Sequence, residues 1–564
     1  MNLKAQNLVT STILLTATSL FTRTIGMISS IYLAQILGTE GMGIYELTMS
    51  LYTTAVIFAS AGLCVTVSRM IAEALGQKQI SSLVHIMDAA FSLGLFLSFI
   101  VTILLFSLAP FLSSYLIHNA AATSGLRFLS LSIPFIACSS CFKGYFYATK
   151  KTIYPASADI LEQVVKLGLV MSLIKLYTPN HTLSLYSAVG LGLTIGEIVS
   201  WSYMLSLYIH ESKQLKPLSA QTHIISSQNQ ISTSSLQVPI APNSSISYYL
   251  RTGNESSFTF SMFKILLHKM LSIMLPIACI SYLSCLFFSL ENALIPLSLK
   301  KYNDDLSASM SVFGMIKGMI MPILFFPSAF LTAFSTTLMP EIAKANVLKL
   351  QKRVTYTTSR VLQLTFILSI LVVAIFMNYS DELGFVLYKS EEIGPLLRSL
   401  SIIVPFIYTE VIADGILKGL NQQVSCLKYS IVDSIIRILL IYFLLPIKGI
   451  YAFVNITIIS CILTSTLSFN KLLETTHLKF KFHNWLLKPT IAATFSASYS
   501  RLIIYKLFRY SFGLTTKVVL GISFTVLLYI PLLFLIQTLS IEDLSWLKRQ
   551  LRLFKTTLLV RHSS

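Results

Sequence analysis

Apolar segments long enough to cross a membrane follow one another along almost the whole chain. A membrane-spanning helix needs about 20 predominantly apolar residues, and fourteen segments meet that requirement. The pattern therefore predicts an all-α polytopic membrane protein. The predicted spans are 8–36, 43–70, 82–110, 126–149, 155–177, 185–209, 262–297, 308–339, 356–378, 395–417, 424–446, 449–470, 488–508 and 513–538.

The chain also contains an internal repeat. Residues 126–136 read LRFLSLSIPFI and residues 397–407 read LRSLSIIVPFI, so that seven of the eleven positions are identical. Each copy continues into a Lys-Gly pair. Many transporters are built from such repeats, with the substrate site at the repeat interface. The repeat predicts two pseudo-symmetric six-helix bundles in the same orientation.

Breaks in the apolar pattern divide the chain into four predicted regions. An N-terminal six-helix bundle covers 1–210, and a linker rich in Ser, Gln and Asn covers 211–258. Because the linker lacks an apolar period, we expect it to be flexible and cytoplasmic. The second six-helix bundle covers 259–475, and two extra helices with a basic cytoplasmic tail occupy 476–564.

Composition excludes an ordinary soluble protein. The mean hydropathy is +0.73 and 12% of the residues are charged, where soluble domains carry about a quarter. The formal net charge is +19, but most Lys and Arg fall on one side if the N-terminus is cytoplasmic. This positive-inside bias predicts both termini in the cytoplasm. We therefore expect the basic surplus to orient the protein and contact anionic membrane lipid, not nucleic acid.

No residue pattern points to a metal, a cofactor or a catalytic centre. Cys138 and Cys141 form a CxxC inside an apolar span without a nearby histidine. Small side chains packing against a neighbouring helix explain this pair. Asp304 and Asp305 lie in a short outer loop without supporting acids, which argues against a membrane glycosyltransferase or polymerase. The sequence thus predicts a protein that is not an enzyme.

Several segments resemble stage V sporulation protein B and its relatives. The most specific is GTEGMGIYEL at 38–47, and the resemblance continues in SAGLCVTVSRMIAEA at 60–74, PSAFLTAFSTTLMPEIAKA at 327–345 and IRILLIYFLLPIKGIYAFV at 436–454. That family belongs to the multidrug/oligosaccharidyl-lipid/polysaccharide exporter superfamily. The resemblance implies two six-helix bundles around a central cavity and alternating access without ATP hydrolysis.

The same resemblance implies a function in the bacterial cytoplasmic membrane. It predicts a flippase for an undecaprenyl-pyrophosphate-linked glycan, namely a lipid II-type peptidoglycan precursor for the spore cortex, with cell-wall synthesis proteins as candidate partners. The chain departs from close relatives at Ser30 and Gln35, where they carry further arginines along the first helix, and at Cys64, where a proline is common. Losing arginines weakens the case for gripping an anionic substrate as the best-known members do.

Ionisable residues inside the spans are the candidates for substrate binding, because a charge in a membrane helix normally faces a cavity or a partner. Arg23 lies near the middle of the first span. Its guanidinium suits a pyrophosphate, although pairing with Glu46 is an equal alternative. Lys317 is the candidate in the second repeat. Glu46 and Glu291 complete the predicted substrate-binding set, and relatives often have Asp at the position of Glu291.

Acids inside the spans are candidates for ion coupling or a proton relay. Asp159 and Glu162 lie in the fifth span, and interhelical salt bridges are the alternative for both. Glu410 and Asp414 lie four residues apart in the tenth span, on one helical face. Glu162 with Lys166, and Asp433 with Arg437, have the i,i+4 spacing of intrahelical ion pairs, with Lys166 and Arg437 as their cations.

Proline occupies equivalent positions of the two repeats. Pro134 and Pro405 fall in the fourth and tenth spans. Interrupted helices can form hinges in transporters, so both are candidate hinge residues.

Two other functions remain open from the sequence. A multidrug cation antiporter of the same superfamily is the first, although Arg23 would repel cationic drugs and twelve spans are usual there. A non-transporting membrane scaffold for cell-wall synthesis is the second.

Overall fold

The computed structural model describes residues 3–77, 82–177, 185–229, 260–507 and 513–539. No strand occurs among them. The helices are α1 Leu3–Ser60, α2 Leu63–Gly76, α3 Ser82–Leu112, α4 Ala122–Ser130, α5 Ile133–Ala148, α6 Ile153–Tyr177, α7 Leu185–Asn229, α8 Phe260–Asn303, α9 Leu306–Phe313, α10 Met321–Phe325, α11 Ser328–Val347, α12 Gln351–Tyr388, α13 Ile393–Leu400, α14 Val404–Gly419, α15 Gln423–Thr476, α16 Lys488–Leu507 and α17 Leu514–Leu535.

These helices account for the predicted spans. Ten described segments are long and apolar enough to cross a membrane. Two of them each hold two spans, because α1 is kinked at Gly38 (φ 70°) and α15 at Gly449 (φ 56°). A positive φ suits glycine, which lacks a Cβ. Helices α6 and α16 are not among these ten segments, but they correspond in position to the fifth and thirteenth predicted spans. The all-α prediction is confirmed.

The fourth and tenth spans are interrupted at the repeated prolines. Pro134 stands at the start of α5, just after α4 ends at Ser130. Pro405 stands at the start of α14, which a single 3₁₀ turn at Ser401–Ile403 separates from α13. Proline fits the first turn of a helix because its missing N–H would be unpaired there. The breaks are therefore observed, and the hinge role stays a prediction.

Packing divides the chain into two compact units. The larger unit comprises Met1–Ser50 with Phe287–Ser564, and the smaller unit is Leu51–Leu286. The boundaries fall inside α1 and α8. This division is based on contacts between residues and does not test the four regions predicted from the sequence, which stay a prediction. Helix α7 extends to Asn229, and the rest of the predicted linker lies outside the described residues.

The smaller unit is built around an apolar core between α2, α3 and α5. Its fully buried members include Leu63, Ile71, Met87, Phe142 and Phe146. Where α4 passes α7, glycine replaces larger side chains: a Cβ at Gly190 would lie 2.7 Å from the carbonyl oxygen of Gly125. Small residues let membrane helices approach closely and gain van der Waals contact.

In the larger unit a close backbone-to-backbone contact joins the second half of α1 to the π-helical turn Gly314–Ile320. A Cβ at Gly314 would overlap the carbonyl oxygen of Thr39 and lie 2.5 Å from the amide nitrogen of Gly43. The hydroxyl groups of Ser311 and Thr39 are 2.6 Å apart. Because backbone meets backbone here, no side chain larger than hydrogen fits at either glycine.

The last two helices pack on α12. The hydroxyl of Tyr529 donates to the carbonyl of Ile367 at 3.1 Å. Arg501 and Tyr505 both donate to Glu382, each at 2.9 Å. Arg501 lies within the thirteenth predicted span, and the structure compensates its charge with an acid on the neighbouring helix.

We expect Gly314→Leu to destabilise the protein, because its side chain has to displace the α1 backbone. Overpacking costs about 1–3 kcal/mol, which thermal unfolding in detergent micelles would register as a lower midpoint. Gly26→Ala is the matched control, since a Cβ there meets nothing within 4 Å. An equal loss in both variants would show that the crossing is not close-packed.

Candidate functional site

Arg23 lies on a polar stripe of α1. Ser19, Arg23, Gly26 and Ser30 follow one another at intervals of four, three and four residues, so they share one helical face. The apolar side chain of Ile28 is half exposed on a different face. The helix therefore presents Arg23 together with small and hydroxyl side chains, and this stripe borders the exposed apolar side chain of Leu20.

The Arg23 guanidinium is exposed and forms no hydrogen bond or ion pair with the part of the chain that the structure describes. Ser30, seven residues further and about 10 Å along the axis, donates a 3.1 Å hydrogen bond to the carbonyl of Gly318. Gln35 donates to the carbonyl of Leu387 at 2.6 Å. The two positions where relatives carry arginine thus attach α1 to neighbouring backbone within the larger unit.

The larger unit holds a network of buried charges at Glu291. The Glu291 carboxylate, 5% exposed, accepts from Lys317 Nζ at 2.9 Å and from Arg437 Nη1 at 3.2 Å. Arg437 also pairs with Asp433 one turn earlier on α15, and Ser460 donates to Asp433 at 2.6 Å. Two cations and two acids therefore neutralise one another among α8, α15 and the π-helical turn.

Glu46 lies beside this network and not beside Arg23. A Cβ at Gly318 would be 3.3 Å from Glu46 Cγ, and Lys317 is the cation that acts on the Glu46 carboxyl group. No ion pair joins Arg23 and Glu46 in the described chain. The structure brings Glu46, Lys317 and Glu291 together and leaves Arg23 separate from them.

A second buried network lies in the smaller unit. Lys166 Nζ is 2.7 Å from Glu162 on its own helix and 2.6 Å from Glu197 on α7. Lys143 on α5 pairs with Asp159 on α6 at 2.7 Å. Asp159 thus forms the interhelical salt bridge that was its alternative assignment. Glu162 forms the intrahelical pair with Lys166 predicted from its spacing.

The two networks share one arrangement. In each unit a cation, Lys166 or Arg437, pairs with an acid one turn earlier on its own helix, Glu162 or Asp433. A second acid reaches the same cation from another helix. A charge removed from water needs such pairing because desolvation is costly. Each unit therefore neutralises a cation inside the membrane with two acids from different helices.

The acids of the tenth span have different surroundings. Glu410 accepts a 3.0 Å hydrogen bond from the hydroxyl of Thr464 and has no ion pair within the described residues. Asp414 pairs with Lys418 at 2.6 Å, and both side chains are largely exposed. Glu410 is therefore the one of these two acids whose carboxyl group lacks a cation.

Sequence reasoning missed Glu197, although the only acid in an apolar span is a recognisable signal for a buried partner. It also treated Asp305 only as part of an acidic pair. The structure shows that the Asp305 side chain caps α9, accepting from the amides of Ser307 and Ala308 at 3.0 and 3.2 Å. Such capping is a common role for Asp before a helix.

The charged side chains of both networks pair with one another and thereby link helices, so they leave few ionic groups available to a ligand. Four cations lie deep in spans: Arg23, Lys166, Lys317 and Arg437. The last three are paired with acids, and Arg23 alone of the four keeps its donors available within the described chain. An anion entering the membrane would find its charge-assisted hydrogen bonds there.

Glu291→Gln should strongly destabilise the protein, because Lys317 and Arg437 both lose their shared anion. Breaking a buried pair costs about 3–5 kcal/mol. Asp414→Asn, in an exposed i,i+4 pair, should cost less than about 1 kcal/mol. Thermal unfolding midpoints of both variants in detergent test this, and similar shifts would contradict the burial argument.

Lys166→Met should destabilise the protein because Glu162 and Glu197 then face each other without a cation. The triple variant Glu162→Gln, Lys166→Met, Glu197→Gln removes all three charges, and we expect it to recover most of the lost stability. Recovery of stability together with transport would assign the network a structural role. Recovered stability without transport would instead support ion coupling at these residues.

Comparison with known proteins finds similar sequences and similar folds. Residues 8–259 match the family described as polysaccharide biosynthesis protein. Stage V sporulation protein B of Bacillus subtilis (strain 168) is 23% identical over 441 residues, which cover 78% of each chain.

Solved structures share the fold. The lipid II flippase MurJ in an inward closed conformation superposes with a TM-score of 0.59 at 14% identity, covering 92% of this chain and 98% of that one. An inward-facing multidrug resistance transporter of the MATE family has a TM-score of 0.56 at 14% identity, with coverages of 82% and 94%. Fold and sequence together confirm the resemblance found in the motifs. The chain is thus similar in sequence to stage V sporulation protein B and shares the fold of solved transporters that include the lipid II flippase MurJ.

Proposed function

We propose that this multi-pass membrane protein is a flippase for a lipid-linked glycan, and not an enzyme. The sequence relative and a solved structure of the same fold, named for sporulation and for lipid II flipping, support this class. The substrate we propose is an undecaprenyl-pyrophosphate-linked glycan of the lipid II type, moved by alternating access. Peptidoglycan of the spore cortex is the proposed destination.

The unpaired Arg23 is the observation that carries the proposal. A flippase must take a charged, hydrated headgroup through hydrocarbon while the lipid tail stays in the membrane. An exposed guanidinium in mid-helix can bind a pyrophosphate bidentately and remains charged throughout. The hydroxyl of Ser19 on the same face adds a neutral hydrogen-bonding group, whereas the hydroxyl proton of Ser30 is already donated to the carbonyl of Gly318. A cationic drug would be repelled at this position, which disfavours the antiporter.

Lys317 with Glu291 and Glu46 forms the proposed second contact region. Lys317 is already bound to Glu291, so a substrate anion has to compete with that carboxylate. Such competition gives a contact that can form and break during a transport cycle. Asp159, Glu162 and Asp414 are engaged by lysines, which makes Glu410 the strongest of the proposed ion-coupling acids.

The test is complementation with a direct readout. The chain is expressed in a bacterium depleted of its own lipid II flippases, and lipid II in the outer leaflet is labelled with a membrane-impermeant probe. We expect the wild type to restore exposure. Arg23→Gln should reduce it by roughly one to two orders of magnitude, because charge-assisted hydrogen bonds contribute about 1.5–3 kcal/mol.

Lys175→Gln is the matched control, since Lys175 is an exposed cation at the end of α6 that has no partner among the residues described by the structure. It should complement like the wild type, and Arg23→Lys should retain part of the activity. Failure of a folded, inserted wild-type protein would contradict lipid II as substrate. Full activity of Arg23→Gln would remove Arg23 from the substrate site.

A further inference from the structure

A cavity of about 440 Å³ lies beside the first turns of α8 in the smaller unit. Its lining residues are Lys264, Ile265, His268, Lys269 and Ser272. Their spacing of one, four, five and eight residues from Lys264 places them on one face of the helix. One face of α8 thus contributes two lysines, a histidine and a serine to the lining of this open depression, whose exposed surface is mainly apolar.

The positive charge of this surface is only partly compensated. Lys264 and His268 are exposed and have no hydrogen bond or ion pair with any described residue. Lys269 is held at 3.0 Å by Glu73 of α2, and Glu73 also accepts from Arg69 at 3.1 Å. Three permanent cations therefore meet a single acid. The contact with Glu73 holds the ammonium group of Lys269 in place, and the charge of this surface is positive because the cations outnumber the acid.

The cavity lies at the depth of lipid headgroups. Lys269 and the exposed Lys300 flank the apolar part of α8 at its two ends. They are 31 residues apart, which corresponds to about 46 Å of helix. A bilayer with its headgroup regions measures about 40–45 Å. With one end of the apolar stretch at each surface, the residues lining the cavity stand among headgroups on the side of the 211–258 segment.

The lining combines the two properties that a phospholipid requires. Lys264, Lys269 and Ser272 offer donors to a phosphodiester, while the half-exposed Ile265 and the lysine stems offer apolar contact to the glycerol and the acyl chains. A free phosphate would use only the donors. We propose that this cavity binds the headgroup of an anionic membrane phospholipid, such as phosphatidylglycerol, with its acyl chains along α8.

Native mass spectrometry of the purified full-length protein tests the proposal. The protein is mixed with equal amounts of phosphatidylglycerol and phosphatidylcholine, and bound lipid is counted. We expect phosphatidylglycerol to be preferred. The double variant K264A/H268A should lose about fivefold or more of that preference, since this is roughly what one cation near an anionic surface contributes.

The variant K300A/K301A is the matched control, because it removes two exposed lysines from the other end of the same helix. It should keep the preference, and unfolding midpoints should be unchanged in both variants. If K264A/H268A fails to fold, Lys264→Gln alone is measured. An equal loss in the control would overturn the site in favour of general surface charge.

Two results with the wild-type protein also decide the question without any variant. Absence of a preference for phosphatidylglycerol would overturn the proposal. Displacement of the bound lipid by millimolar glycerol 1-phosphate would overturn it as well, because the acyl chains would then contribute nothing. Lipid II exposure in cells is measured separately, so failure here leaves the proposed flippase function untouched.

Discussion

Pairing of buried charges is the constraint on which the rest of this structure depends. A membrane helix that carries Lys or Arg at its centre pays several kcal/mol unless a partner or water is present. Each unit meets this cost by placing one cation between two acids from different helices, at Lys166 and at Arg437. These ion pairs fix which helices lie side by side. They also leave Arg23 as the deep cation with open donors in the described chain.

The second consequence concerns the first helix. Ser30 and Gln35 occupy positions where relatives carry arginine, and both donate to backbone carbonyls in the larger unit. A guanidinium at either place would need an acid or water, whereas a neutral donor needs only a carbonyl. Along this part of α1 the polar side chains therefore serve packing within the larger unit.

The sequence was sufficient for features that depend on one helix and insufficient for those that depend on two. The pairs Glu162–Lys166 and Asp433–Arg437 follow from a spacing of four residues, and both form. The acid that each cation receives from another helix depends on how the helices pack, which no spacing reveals. For the same reason the alternative pairing of Arg23 with Glu46 did not form. The kinks at Gly38 and Gly449 lie at or next to boundaries between predicted spans, but the sequence did not show that one helix continues through each of them.

The C-terminal pair shows how such a fold can grow. Ser500, Arg501, Tyr505 and Tyr529 all contact α12 through their side chains. On α12 a single carboxylate, Glu382, receives both Arg501 and Tyr505. Two more helices can therefore be attached to such a bundle through the outer face of one existing helix, without contact with the ion networks at Lys166 and Arg437.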